Sequence, residues 1–305
     1  MKDDKDLMGR QMEPEVPIII IERDDDPVET PREVKSRKAQ WWKMALLALA
    51  VLLGGALLLF AYKQWAYYNH LGISIAVSPS QNIDKLKQGP EACSGEVTMS
   101  SDSILGVALD VYALRGLQGS IEFEEPDTAD ASVFFYCRSA DFTAEGRYLG
   151  SLISKGKRLA DSNTRLGYMA MAHGTNVIGI ARSEAVRDYV GEQGGSFFRQ
   201  FVLVSDGELP PRFHLHGKVE RCAIGRMGND LYFIASRHKE TLWSFADALR
   251  EYGFTDAIYI TGGKDYSYYR DRTGKRFDIH DVADYPHKKW KGIIPWLVFR
   301  ASGGE

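Results

Sequence analysis

From Met44 to Tyr62 the chain reads MALLALAVLLGGALLLFAY, a stretch with no charged side chain. At about 1.5 Å rise per residue, a helix of this length spans close to the hydrocarbon thickness of a bilayer. The segment therefore predicts one transmembrane helix, and everything else must fold on one side of it or the other. Arg32, Lys35, Arg37, Lys38 and Lys43 crowd its N-terminal flank, while Lys63 stands nearly alone beyond it. The positive-inside rule then places residues 1–43 in the cytoplasm and exports the C-terminal part. Trp41 and Trp42 before the span, and Tyr62, Trp65, Tyr67 and Tyr68 after it, supply an aromatic belt at each interface. A cleaved signal peptide fits poorly, because a long polar stretch precedes the apolar run and no small-x-small cleavage site follows it.

The segment before the span mixes acidic runs such as Asp24-Asp25-Asp26 with Pro14, Pro17, Pro27 and Pro31. That composition is too polar to bury a core, so residues 1–43 read as a disordered cytoplasmic tail. Ile18, Ile19, Ile20 and Ile21 are strand-prone and fit the edge of a cytoplasmic partner's sheet, with a chance apolar run as the plainer alternative. Over the whole chain, 38 basic against 41 acidic side chains give a net charge of -3. No global positive field attracts phosphate backbones, so nucleic acid is not an expected partner. Cys93, Cys137 and Cys222 all follow the span, where an oxidising space allows at most one disulfide and leaves one thiol over. No Cys-x-x-Cys is present to hold zinc or act as a redox pair, and Cys137 and Cys222 sit in strand-like runs as structural thiols.

Residues 63–99 read as a membrane-proximal segment and 100–305 as one exported domain of the α+β class, a mixed sheet with packed helices. Strand-like runs rich in β-branched and aromatic residues cover 73–77, 105–114, 132–138, 197–204, 219–224, 231–235, 257–261 and 293–300. Gly228-Asn229 tolerates positive φ and predicts a hairpin between two of them. The clearest helix runs from Thr241 to Tyr252, with Leu242, Phe245, Ala246 and Leu249 on one face and Gly253 as the stop. A second covers Ser183 to Glu192 and ends at Gly194-Gly195.

Two loops carry unusual content. The first, Gln193-Gly194-Gly195-Ser196-Phe197-Phe198-Arg199-Gln200, opens a strand that closes with Ser205-Asp206-Gly207; the second is Thr261-Gly262-Gly263-Lys264-Asp265-Tyr266. Paired glycines let backbone N–H groups converge as an anion nest, and Arg199 or Lys264 can add a full charge, so phosphate is the natural guest. Ordinary tight turns explain the same pairs. Gly194, Gly195, Ser196, Arg199, Gly262, Gly263 and Lys264 are the candidate substrate-binding residues, and Asp265 and Asp206 the candidate acids or bases. Asp206-Gly207 reads equally as a turn. Tyr266, Tyr268 and Tyr269 offer a sugar-stacking wall or simple loop packing. His214 and His216 lie two apart at a spacing metals use, but no third ligand is identifiable, and a solvated strand face is the reading; no metal is expected. His280, with Asp278 and Asp281 beside it, reads as an exposed loop residue, and His173, in AHGTN, is a candidate to enter the cleft from another strand.

The segments GGSFFRQFVLVSDGEL, RCAIGRMGNDLYFIAS and LWSFADALREYGFTDAIYITGGKD, in that order, resemble the core of the phosphodiester glycosidase domain family, over roughly residues 100 to 300. The resemblance implies an α+β domain, hydrolysis of a sugar phosphodiester, and a divergent membrane-anchored bacterial member facing the periplasm. In that family an Asn-Gly-Gly motif leads the first strand and an Asp-Gly-Gly loop leaves the last. Here Gly194 stands where the Asn is usual and Thr261 where the aspartate is, and a threonine cannot serve as a carboxylate. General acid-base catalysis contributes about 10² to 10⁴-fold, so the departure implies either recruitment of another carboxylate, Asp265 being nearest, or loss of turnover. The two functional expectations are a membrane-anchored phosphodiester hydrolase of the cell envelope and a non-catalytic envelope protein that binds a glycan, or scaffolds a partner, through the same cleft.

Overall fold

The computed structural model describes residues 34–68, 73, 78–89, 95–139, 147–162, 165–213, 215–262, 267–279 and 294–301. It divides into two units, Met1–Ala61 and Tyr62–Glu305. The first holds most of helix α1 (Val34–Tyr68). Within α1 the 27 residues Gln40–Ala66 are long and apolar enough to cross a membrane, and none of the apolar window is buried against protein. A helix apolar on every side has no amphipathic stripe to bury in a soluble core. Ile18 to Ile21 lie outside the described residues.

The second unit begins with α2 (Pro79–Gln88), followed by β1 (Glu96–Ile104), β2 (Val107–Arg115), β3 (Leu117–Glu122), β4 (Val133–Arg138), β5 (Leu152–Ser154), β6 (Lys157–Ala160), β7 (Gly167–Ala172) and β8 (Thr175–Ile180). Then come α3 (Ala185–Glu192), β9 (Ser196–Gln200), β10 (Val202–Ser205), β11 (Arg221–Met227), β12 (Asp230–Ser236), α4 (Leu242–Tyr252), β13 (Asp256–Gly262), β14 (Tyr268–Arg270), β15 (Arg276–Asp278) and β16 (Trp296–Ala301). Three sheets result, in the orders β1-β2-β12-β11-β13-β10, β15-β14-β4-β16-β3 and β6-β5-β9-β7-β8. The expected α+β class holds.

One core joins all three sheets, with Phe135 of β4, Phe198 of β9 and Phe233 of β12 among its fully buried members. Helix α4 covers another face of the first sheet, burying Leu242, Phe245, Ala246 and Leu249 against Leu109, Val111 and Ile234. Each of these leucine, phenylalanine, valine and isoleucine side chains contributes on the order of 1.5–3 kcal/mol when fully buried. Thr241 Oγ1 accepts from Ser244 N at 3.0 Å to start α4, and Gly253, at φ +111°, ends it. Helices α2 and α3 cover the third sheet through Leu86, Val186 and Val190.

Several sequence boundaries move. The division at residue 99 falls inside β1, and α2 already belongs to the packed unit through buried Asn82 and Leu86. The strand expected over 105–114 starts at Val107, because Leu105 and Gly106 form the turn after β1. The run 197–204 is two strands: β9 pairs with β7 and β5, and after Phe201 the chain crosses to pair with β13 as β10. The second helix begins at Ala185, and the last strand at Trp296. Ile73 has no regular structure and 74–77 lie outside the described residues. Cys137 and Cys222 are buried in the common core, while Cys93 lies outside the described residues.

Candidate functional site

The first glycine pair is a helix stop. Gly194 sits at φ +70°, its N–H donating to Gly191 O at 3.3 Å, and Gly195 N–H donates to Val190 O at 2.9 Å. These two bonds make a Schellman cap, in which the last carbonyls of α3 claim both amides. Neither amide is left for an anion, so the nest expected at Gly194-Gly195 is not formed. Gly195 is also required by close approach, since a Cβ there would lie 2.3 Å from Met171 O. Ser196 is turned inward: its Oγ accepts from Ile121 N at 3.3 Å and Lys155 N at 3.4 Å, which ties β9 to β3 and to the β5–β6 turn.

Arg199 is an internal strut. It is 2 % exposed. One terminal nitrogen donates to Ala181 O at 2.8 Å and Arg165 O at 3.0 Å, the other to Ser183 O at 2.8 Å with Glu184 Oε2 at 3.2 Å. Only Nε lacks a partner among the described residues. Burial lowers the guanidinium's hold on its proton, and the Glu184 carboxylate opposes that shift. Glu184 in turn lies 3.1 Å from Arg187, which also pairs with Asp161 and Asp188. The register sets Arg199 opposite Tyr168 and Ser196 opposite Met171, so the guanidinium belongs to the other end of the β7–β9 ladder from the glycines. The expected phosphate clamp of Arg199 with Gly194 and Gly195 is therefore not assembled: a cation packed this deeply is held by the carbonyls that offset its desolvation.

Asp206 is a turn residue. It and Gly207 take φ +55° and +72°, and Ser205 and Glu208 exchange two backbone hydrogen bonds of 2.9 Å around them. Ser205 pairs with Asp256 at the start of β13, whereas Gly262 is at its end, opposite Arg221. Six residues of strand, about 20 Å, separate the two ends. Asp206 and Gly262 thus stand at opposite ends of β13. Gly263, Lys264, Asp265 and Tyr266 lie outside the described residues. Tyr268 stacks on Tyr136 at 5.2 Å and Tyr269 on Phe277 at 4.7 Å, so these two rings pack the second sheet instead of walling a sugar site. His214 and His280 lie outside the described residues, His216 is exposed on a loop, and His173 occupies the β7–β8 turn at φ +50°. Among the described residues no three His, Cys, Asp or Glu side chains are grouped to hold a metal.

A concavity of ligand size lies elsewhere among the described residues. A cavity of about 530 Å³ opens between α2, the start of β1, the β2–β3 turn, the β7–β8 turn and the tip of the β11–β12 hairpin. Its floor is apolar, from Leu114, Leu117, Val177, Ile178 and Leu231. Its rim is charged: Arg115 Nε lies 3.2 Å from Asp230 Oδ2 and Arg115 reaches Glu96 at 3.7 Å, while Arg226 pairs with Asp256. Lys85 on α2 has no ion pair and Thr175 Oγ1, buried, has no hydrogen-bond partner among the described residues. Gly194, Gly195, Ser196, Arg199, Asp206 and Gly262 do not line this cavity. Its volume is within the range of small-molecule sites, and its lining mixes apolar with charged and polar side chains. Sequence reading missed it because its members come from five separated segments with no motif spacing; only the Gly228-Asn229 hairpin was visible beforehand.

No family model matches the sequence, and no curated protein does. Solved structures similar to it include the following two. One is the zebrafish N-acetylglucosamine-1-phosphodiester alpha-N-acetylglucosaminidase catalytic domain, auto-inhibited by its pro-peptide, with 14% identity, 70% of this chain and 86% of that chain covered, and a TM-score of 0.48. The other is a hypothetical protein from Synechocystis, with 11% identity, 67% of this chain and 62% of that chain covered, and a TM-score of 0.50. With the Synechocystis protein the chain shares a fold.

Proposed function

We propose that the chain is a single-pass membrane protein, its N-terminus cytoplasmic and its folded unit on the outer face of a bacterial inner membrane, that binds a glycosyl phosphodiester or envelope glycan without turning it over. The observation that carries the binding reading is Arg199. The cation best placed by sequence to hold a reacting phosphate is committed to four main-chain carbonyls, counting the longer contact to Leu166 O at 3.4 Å, and to Glu184. The cavity supports recognition. Lys85 and Arg115 suit a phosphate, Asp230 and Glu96 can accept hydrogen bonds from sugar hydroxyls, and the Leu117 and Val177 floor takes the sugar's apolar face. The anchor reading rests on Gln40–Ala66 and the basic flank before it.

Hydrolysis is the second reading, favoured by the likeness of the Gly194 to Asp265 segments to phosphodiester glycosidases. In it Asp265 takes the place of the carboxylate absent at Thr261. Full-length protein in lipid nanodiscs, incubated with a panel of sugar-phosphate diesters, separates the two. Ligand binding that is lost in Arg115→Ala, with no sugar released, is the expected result; sugar release abolished by Asp265→Asn would establish hydrolysis instead. A C-terminal reporter active only outside the cytoplasm is expected to be active, and a silent one reverses the orientation.

A further inference from the structure

Helix α4 buries Leu242, Phe245, Ala246 and Leu249, and Trp243 falls off that stripe. Trp243 is 51% exposed, the one exposed Phe, Tyr or Trp ring outside α1 among the described residues. It meets the half-buried Phe213 edge-on, with ring centroids 5.9 Å apart. A single exposed apolar side chain asks for no explanation, but its surroundings here do. Phe213 and Leu242 share a small cleft with Arg212, Leu215 and Ile73. Val219 and Glu240 exchange two backbone hydrogen bonds, of 2.8 and 3.3 Å, which bring the Lys218 and Lys239 segments together beside the start of α4.

Across 210–213, 215–221 and 236–244 every exposed charged side chain is a cation: Arg212, Lys218, Arg237 and Lys239. Arg237 reaches Asp110 at 3.6 Å, and the other three have no ion pair among the described residues. The carboxylates of the same segments, Glu220 and Glu240, are half-buried, and Glu240 Oε2 accepts from Ser244 Oγ at 3.1 Å. A tryptophan beside unpaired cations suits a headgroup layer, because the ring prefers the lipid–water interface and each Lys or Arg attracts anionic lipid.

The chain itself brings this face to a bilayer. The 27 residues Gln40–Ala66 rise about 40 Å, the thickness of a bilayer with its headgroups, so Tyr68 ends α1 at headgroup level. Five residue steps lead from Tyr68 to Ile73, at most about 18 Å whatever path they take. Ile73 packs on Leu166, Ile180 and Val202 and lines the same cleft as Phe213. The tether therefore enters the folded unit at the cationic face.

We infer that this face, Trp243 and Phe213 with Arg212, Lys218 and Lys239, docks on anionic headgroups of the bilayer that α1 crosses. The inference rests on the anchor reading and not on the ligand or on turnover. Asp230, on the cavity rim, begins β12, and Ser236, three residues before Lys239, ends it about 20 Å away, so docking leaves the rim free.

Full-length protein carrying Cys93→Ser provides the test, with an environment-sensitive fluorophore on His216→Cys, an exposed position of this face, or on Asn229→Cys at the β11–β12 turn. Cys137 and Cys222 are buried and do not label. In nanodiscs of phosphatidylcholine with phosphatidylglycerol, emission from position 216 is expected to shift to the blue and to be quenched by nitroxide-labelled lipid, while position 229 reads as water. Arg212→Gln, Lys218→Gln and Lys239→Gln are each expected to lower the ratio of docked to undocked protein about fivefold, and Trp243→Ala at least as much. All four side chains are exposed, so the variants keep the fold. Molar salt is expected to undo the cationic part. Equal emission from positions 216 and 229 in discs that the protein has entered would overturn the proposal. Shielding at 216 that is as strong in pure phosphatidylcholine, with two copies per disc, would assign the face to a second copy instead. Protein that does not stay with the discs would deny the anchor itself, and the docking with it.

Discussion

The α3–β9 junction and the rim of the cavity both place arginines and glycines near one another, yet they use them in opposite ways. At the junction the polar groups turn inward: Gly194 and Gly195 cap α3, Ser196 accepts from two backbone amides, and Arg199 gathers the carbonyls of Arg165, Ala181 and Ser183. At the rim Arg115 is 47% exposed and its pairs with Asp230 and Glu96 face solvent. The difference is burial. A guanidinium withdrawn from water must be matched donor for donor, whereas an exposed one keeps its partners loosely and can trade them for a ligand.

The comparison breaks first at Arg199. Arg199→Met leaves the carbonyls of Arg165, Ala181 and Ser183 unmatched and Glu184 with Arg187 alone, and removing one member of a buried pair costs about 3–5 kcal/mol. Urea unfolding should show this loss, and Arg199→Lys should recover only part of it because an ammonium cannot span the same carbonyls. A loss below 1 kcal/mol in the methionine variant would deny the strut. Gly195→Ala comes next, at about 1–3 kcal/mol, since its Cβ meets Met171 O and the strand must shift. Gly194→Ala has open space around its Cβ and carries only the left-handed backbone penalty of about 1 kcal/mol. The order of these two, read from midpoints of thermal unfolding, sharpens the contrast between close approach and positive φ. Smallest is Arg115→Ala, expected to change stability by less than about 1 kcal/mol while lowering ligand affinity at least tenfold in calorimetry. A large unfolding effect there would make the rim structural like the junction.

What could be read beforehand follows a physical pattern. Helix α4 and the β11–β12 hairpin were legible because their signals are local: a 3.6-residue apolar stripe with a glycine stop, and a Gly-Asn turn. Strands β1, β3, β5, β6, β7, β8, β14 and β15 were not. β1 is serine-rich and mostly exposed, β5 and β6 are three and four residues long, and β7 is buried along its whole length and shows no alternation. The break at Phe201 escaped notice because β9 and β10 are one apolar run, and only their different partners divide them. The cavity was illegible for a related reason, since Lys85, Arg115, Thr175 and Asp230 are adjacent in space alone.

By itself the sequence determined a long apolar helix, an α+β unit after it, and the places where α3 and α4 stop, because hydropathy, periodicity and glycine's backbone freedom act over a few neighbouring residues. Tertiary structure decided the rest: that Gly194 and Gly195 spend their amides on α3, that Arg199 points into the protein, that Asp206 and Gly262 stand at opposite ends of β13, and that the open concavity forms elsewhere. A side chain's chemistry is written in the sequence, but whether its charge and hydrogen bonds remain available depends on which distant segments close around it.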